Sequence, residues 1–354
     1  MLKPQSRSLS ISGMYKATLF TILMGLGHMV WSYQQPRELT VDPSTRQDLG
    51  LSEMASAVQS IPLPAEPIEK HVYVKDVLID DESVFVSYKY ERDTIHATAV
   101  YHFDRKGNYL GQIGMKKTLK DILYIADEQL LGIAYQKEVL FYNKEGKLVR
   151  AMPAFAKKYI YHKGILWGIN WHYNGEFWEY QVLRSSKDGK EVIKVYQFDD
   201  PFKEFIGIQP VLTANDDALY LSFRLDHKVY RITETAVAAY ELSFTKKDLP
   251  ANRYMGPTQF VTGSWLYYGY NIRREKRALV YNSNTQKTYN LHPAPSGGVF
   301  AFIKDDWYDS GWLVPRPLNT PGMFYYTKSE DDLPEKHKTN SGNISTHLFL
   351  VTTQ

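Results

Sequence analysis

The chain has 354 residues, with 42 Lys and Arg against 39 Asp and Glu, a formal net charge of +3 and no cysteine. That length can bury a large core, and a near-neutral balance without a long basic block gives no electrostatic case for nucleic acid. The missing thiol excludes disulfides, thiolate metal sites, a cysteine nucleophile and lipid attachment at an N-terminal cysteine.

Residues 1–13 are polar and basic, and Met14-Tyr15-Lys16 then leads into an apolar run over 17–31. A basic stretch before a short apolar one is the order of a secretory signal, and the run is short for a membrane span. Residues 1–33 are therefore expected to be a signal peptide or a short membrane anchor, starting at Met1 or Met14. The remainder is expected to be periplasmic or secreted, reaching the inner membrane only if that segment stays uncleaved. Residues 34–50, with Pro36 and Pro43, read as a linker or surface arm.

From residue 51 the chain reads as all-β, with 14% aromatic content and 27 Tyr favouring strands. A short helical turn at 51–54 precedes a strand over 57–63, which Pro62 confines to an edge or a bulge. Five four-strand units follow. Their expected strands are 72–79, 84–90, 97–104 and 109–114; then 120–125, 129–135, 138–143 and 147–152; then 157–162, 165–173, 178–185 and 191–198; then 209–214, 218–225, 228–233 and 237–244; then 258–261, 265–272, 277–282 and 287–292. A hairpin phrase at 103–114 (FDRKGNYLGQIG) returns at 141–149 and, more weakly, at 186–192 and 281–288. Such recurrence at blade-sized spacing marks a repeat architecture, and the period of two excludes helical repeats. A sixth unit has 299–304 as its expected inner strand, 323–327 as its second and 347–351 as its last. It lacks one strand, and the leftover strand at 57–63 would complete it and close the ring. The expected fold is a six-bladed β-propeller of four-stranded antiparallel blades, spanning 51–354, with the last blade closed by an N-terminal strand.

The opening at 51–63, the phrase at 103–114 and the segment Asp305-Asp306-Trp307-Tyr308-Asp309-Ser310-Gly311-Trp312 resemble the six-bladed propellers of the bacterial envelope related to NHL-repeat proteins. The resemblance implies export and this fold. It implies no catalytic residues, and the absent cysteine removes the lipid anchor many such proteins carry.

Three kinds of residue are candidates for function. Lys75-Asp76 and Lys120-Asp121 repeat in what should be inner strands, as a polar ring in the channel or as inter-blade ion pairs. Trp171, Tyr173 and Trp178 belong to the densest aromatic stretch, which could stack on a sugar or peptide or simply pack between blades. Trp307 and Trp312 form a second aromatic group. The acid pairs (Asp80-Asp81-Glu82, Asp127-Glu128, Asp216-Asp217, Asp305-Asp306) read mainly as turn residues, although carboxylates can also bind calcium. No HExxH, GxSxG, P-loop or GxGxxG-helix motif occurs, and no cofactor is implied. The leading expectation is a non-enzymatic binding propeller for a glycan, a peptide or an envelope protein. The alternative is a hydrolase or lyase with a metal-assisted site at the channel mouth.

Overall fold

Period-two alternation builds strands whose two faces are both apolar, because each blade of a ring packs against a neighbour on either side. A computed structural model describes residues 35–42, 44–64, 72–90, 97–114, 119–200, 210–222, 228–233, 236–244, 255–272, 275–292, 302–339 and 344–354. The expected signal or anchor segment lies outside them.

The chain opens with strand β1 (Arg37–Val41), the helical turn α1 (Leu51–Met54) and β2 (Ala55–Pro64). Blade one is β3 (Val72–Ile79), β4 (Ser83–Tyr90), β5 (Ala97–Asp104) and β6 (Tyr109–Ile113). Blade two is β7 (Asp121–Ile125), β8 (Leu130–Ala134), β9 (Glu138–Tyr142) and β10 (Leu148–Pro153). Blade three is β11 (Lys158–His162), β12 (Ile165–Tyr173), β13 (Trp178–Ser185) and β14 (Val192–Asp200). Blade four is β15 (Val211–Ala214), β16 (Leu219–Ser222), β17 (Lys228–Ile232) and β18 (Ala236–Phe244). Blade five is β19 (Met255–Thr262), β20 (Trp265–Ile272), β21 (Glu275–Asn282) and β22 (Lys287–Leu291). A separate hairpin, β23 (Ile303–Asp305) with β24 (Gly311–Leu313), precedes blade six. That blade runs outward as β25 (Arg316–Pro317), β26 (Met323–Ser329), β27 (Ile344–Thr353) and β2.

The expected propeller and its closure are therefore present: β2 pairs antiparallel with β27 from Ala55↔Thr353 to Pro64↔Ile344. Pro62, which has no N–H to donate, lies on this outermost strand. The inner strand of blade six is a correction. It is Arg316–Pro317, and not the expected 299–304. Ile303–Leu313 instead folds on itself around Asp305, whose carboxylate accepts from the Trp307 and Tyr308 N–H groups and from the Tyr326 hydroxyl.

Six apolar clusters fill the six junctions between blades. Alternation along β7 shows how. Ile122 and Tyr124 pack towards blade one, while Leu123 and Ile125 pack towards blade three. The arm over 35–50 contributes too. β1 adds in parallel to the outer strand β18, burying Leu39 and Val41 against Tyr268 and Tyr281 of blade five. Gln47 then bridges to Leu291 and Gly50 to Lys304, so the arm crosses the outer edges of blades four and five on its way to blade six. On blades one to three, the outer strands and the turns that open them keep Leu110, Leu148, Val149, Val192 and Ile193 exposed.

Candidate functional site

The charged residues of the inner strands gather at one end. Lys75 and Asp76 lie on β3; Lys120 and Asp121 stand at the start of β7; Lys157 and Lys158 stand at the start of β11. The first two units thus place Lys-Asp where the third places Lys-Lys, and β3, β7 and β11 are neighbours in the ring. Lys158 Nζ lies 2.8 Å from Asp121 Oδ1 and 3.9 Å from Asp76 Oδ1. Asp121 Oδ2 accepts from the Tyr159 N–H at 2.6 Å. Lys75 Nζ is 3.5 Å from Asp76 Oδ2 and donates to the Lys120 carbonyl at 3.0 Å. Three blades are tied together by one network, with inter-blade ion pairing at its centre.

These charges set one another's protonation. Burial pushes the Asp76 carboxyl up, but Lys158 and Lys75 outweigh it and hold the group below the usual carboxylate range. At Asp121 burial prevails against Lys158, with the charge of Asp76 adding to it, and the carboxyl is raised. Burial would lower the Lys158 ammonium, yet Asp121 and Asp76 raise it above the ordinary lysine value. Lys157 has no such support: burial lowers it, and the charge of Lys120 lowers it further.

Beside this network lies a cavity of about 370 Å³. Its charged wall is Lys75, Lys120, Lys157 and Lys158, and its remaining wall includes Leu119, Tyr135, Gln136, Ala156 and Trp171. Its lining comes from Lys75 in the middle of β3, from the residues at and leading into the starts of β7 and β11, from the turn after β8 and from the last part of β12. Lys157 Nζ donates to the Trp171 carbonyl and stands 4.9 Å from the centroid of that indole.

Lys75, Lys120 and Trp171 of the sequence candidates therefore meet in one cavity, with Asp76 and Asp121 bonded to its lysines. Trp171 is 8% exposed and packs with Leu219 and Leu221 of blade four, so most of its ring fills a blade junction. Tyr173 and Trp178 are cross-strand partners at the tip of the same hairpin, their rings 5.5 Å apart, and neither lines the cavity. Trp307 and Trp312 sit on the β23–β24 hairpin, Trp307 exposed near its tip and Trp312 opposite Lys304, and they do not line it either. Lys157, Lys158, Tyr135 and Gln136 are additions to the sequence candidates. The signal for Lys157 and Lys158 was the register of the third unit, which places Lys158 where the first two place aspartate.

The acid pairs serve turns and seams. Asp80 Oδ1 accepts from the Glu82 and Ser83 N–H groups at 2.8 and 2.6 Å, and Asp217 pairs with Arg231 at 2.9 Å. Among the described residues no group of three His, Asp or Glu side chains is placed to hold a metal. His172 pairs with Glu179 and His347 with Glu330, one carboxylate to each histidine.

The fold defines the class: a six-bladed β-propeller. No protein-family model and no curated protein matches the chain. Among solved structures, a Bacteroides fragilis protein provisionally assigned as exported is similar over 90% of this chain and 100% of its own, with a TM-score of 0.59 at 13% identity. A Xanthomonas campestris gluconolactonase is similar over 91% and 99% of the two chains, with a TM-score of 0.46 at 10% identity. The calcium-binding protein regucalcin of Agrobacterium tumefaciens is similar over 90% and 97%, with a TM-score of 0.42 at 11% identity. At these identities the likeness extends to the fold alone.

Proposed function

We propose that the protein is an exported, NHL-like binding propeller of the bacterial envelope, periplasmic or secreted, and that it takes its ligand in the cavity between the inner ends of blades one, two and three. The ligand is a glycan, a peptide or an exposed segment of an envelope protein. Export rests on the basic-then-apolar order of residues 1–33. Binding rests on one observation: a cavity of about 370 Å³ lined by lysine, glutamine and aromatic residues. Its size falls within the range of about 300–1,000 Å³ common for small-ligand sites, and a few polar groups on a mainly apolar wall are what such sites use for orientation.

The test is an array of glycan fragments and envelope-derived peptides, probed with the full chain and with Gln136→Trp. Gln136 lies in an exposed turn, so the indole can occupy the cavity without disturbing a strand or changing charge. Array members bound by the wild type and lost by Gln136→Trp support the reading. Absence of any bound member, or binding unaffected by Gln136→Trp, overturns it.

A further inference from the structure

We infer that the ligand of this cavity is a small organic anion, with a carboxylate or phosphate carried on a compact polar skeleton. The inference rests on the reading of the cavity as the binding site and concerns the charge of what enters. Four lysines line it: Lys75, Lys120, Lys157 and Lys158. Two carboxylates are bonded to them, and both are committed: Asp121 to Lys158 and the Tyr159 N–H, Asp76 to Lys158 and Lys75. The pairing is uneven. Lys158 has two carboxylates, whereas Lys157 has the Trp171 carbonyl and Lys120 has no side-chain partner among the described residues. The wall therefore carries two cations that no acid neutralises, facing a space too small for a protein surface and large enough for a sugar-sized molecule.

Burial and, after it, the charge of Lys120 weaken the hold of Lys157 on its proton. An anion between the two ammonium groups removes the repulsion and forms charge-assisted hydrogen bonds, the strong class of polar contact. Gln136 supplies an amide that can donate to or accept from the neutral part of the ligand.

Titration calorimetry of the full chain with four probes tests this: galacturonate, glucose 6-phosphate, inorganic phosphate and neutral galactose. The acidic sugars are expected to bind, with galactose weaker by about tenfold or more, the scale of one charge-assisted hydrogen bond. Lys120→Ser and Lys157→Gln are each expected to weaken the acidic sugars by a similar factor and galactose by clearly less. Added sodium chloride should weaken the acidic sugars, because the cavity is open enough for screening. The tighter of galacturonate and the sugar phosphate identifies the anion, and inorganic phosphate binding as tightly as both removes the role of the skeleton. Equal binding of galactose and galacturonate overturns the inference, as does failure of every acidic probe. Loss of an array ligand in Gln136→Trp without loss in either lysine variant overturns it too, while leaving the binding site in place.

Discussion

Two glycines that occupy equivalent places in the repeated hairpin phrase carry different obligations. Gly107 and Gly146 both have positive φ, +91° and +76°, as their tight turns require. A Cβ on Gly107 would stand 2.1 Å from the carbonyl oxygen of Pro62 on the closing strand, whereas one on Gly146 would have nothing nearer than 3.8 Å. Gly146→Ala should therefore cost only the left-handed backbone conformation, about 1 kcal/mol. Gly107→Ala should cost that and the displacement of a backbone carbonyl, and urea unfolding of the two variants should show the larger loss at Gly107. Equal losses would show that β2 gives way freely there. The phrase itself was legible because a turn glycine between alternating strands is a local signal. Its contact with Pro62 was not, since no local pattern says which strand will lie beside a turn.

At the scale of elements, legibility followed the length over which a period could be read. The strands of blades one to five alternate over four to nine residues and emerge close to their expected ends. Arg37–Val41 has five residues, only Leu39 and Val41 buried, and reads as polar arm because the sheet it joins is remote in sequence. Arg316–Pro317 is two residues long and has no period at all. The charged site was half legible: the repeated Lys-Asp was visible, but its counter-ion Lys158 comes from the next blade. The turns between first and second strands were read as local devices, yet they also join blades. Asp80 accepts the Tyr124 hydroxyl at 2.6 Å and pairs with Lys144 at 3.2 Å, both from blade two. One blade on, Lys187 pairs with Asp127 and Glu128. Partial burial pushes the Asp80 carboxyl up, but the Tyr124 hydroxyl, two backbone N–H groups and Lys144 hold it below the usual range. A folded-state pKa below the unfolded one gives stability that is present above the unfolded value, about 4, and is lost as pH falls through the folded value. Asp80→Asn should therefore be destabilising at neutral pH, with the difference from wild type shrinking as pH drops below about 4 in urea melts. A difference that holds constant across that range would show that the carboxylate's charge plays no part.

For the molecule as a whole, the ring is only as strong as its seam, because a propeller that opens at one junction exposes two blade faces at once. The seam lies between blades six and one, and the chain's N-terminal strand holds it. Ile61 and Leu63 of β2 are fully buried against Val77, Ile79 and Phe103 of blade one, while their backbone pairs with β27 of blade six. Gln59 Nε2 donates to the Arg105 carbonyl at 2.9 Å, and the Asn319 amide clamps both the N–H and the carbonyl of Ile79. Leu63→Ala removes an apolar side chain from this junction and should cost about 2–5 kcal/mol. If β2 is the clasp, that cost is not confined to one blade. Hydrogen exchange in Leu63→Ala should accelerate in β3 and β4 on one side and in β26 and β27 on the other, ahead of β12 and β13 across the ring. Acceleration limited to blade six would make β2 an ordinary edge strand. Uniform acceleration would mean that the six blades open only together, so that the seam has no separate stability. The unequal result would also separate the clasp from the cavity, whose lysines sit on blades one, two and three, where Lys75 and Lys158 are held by their own ion pairs with Asp76 and Asp121.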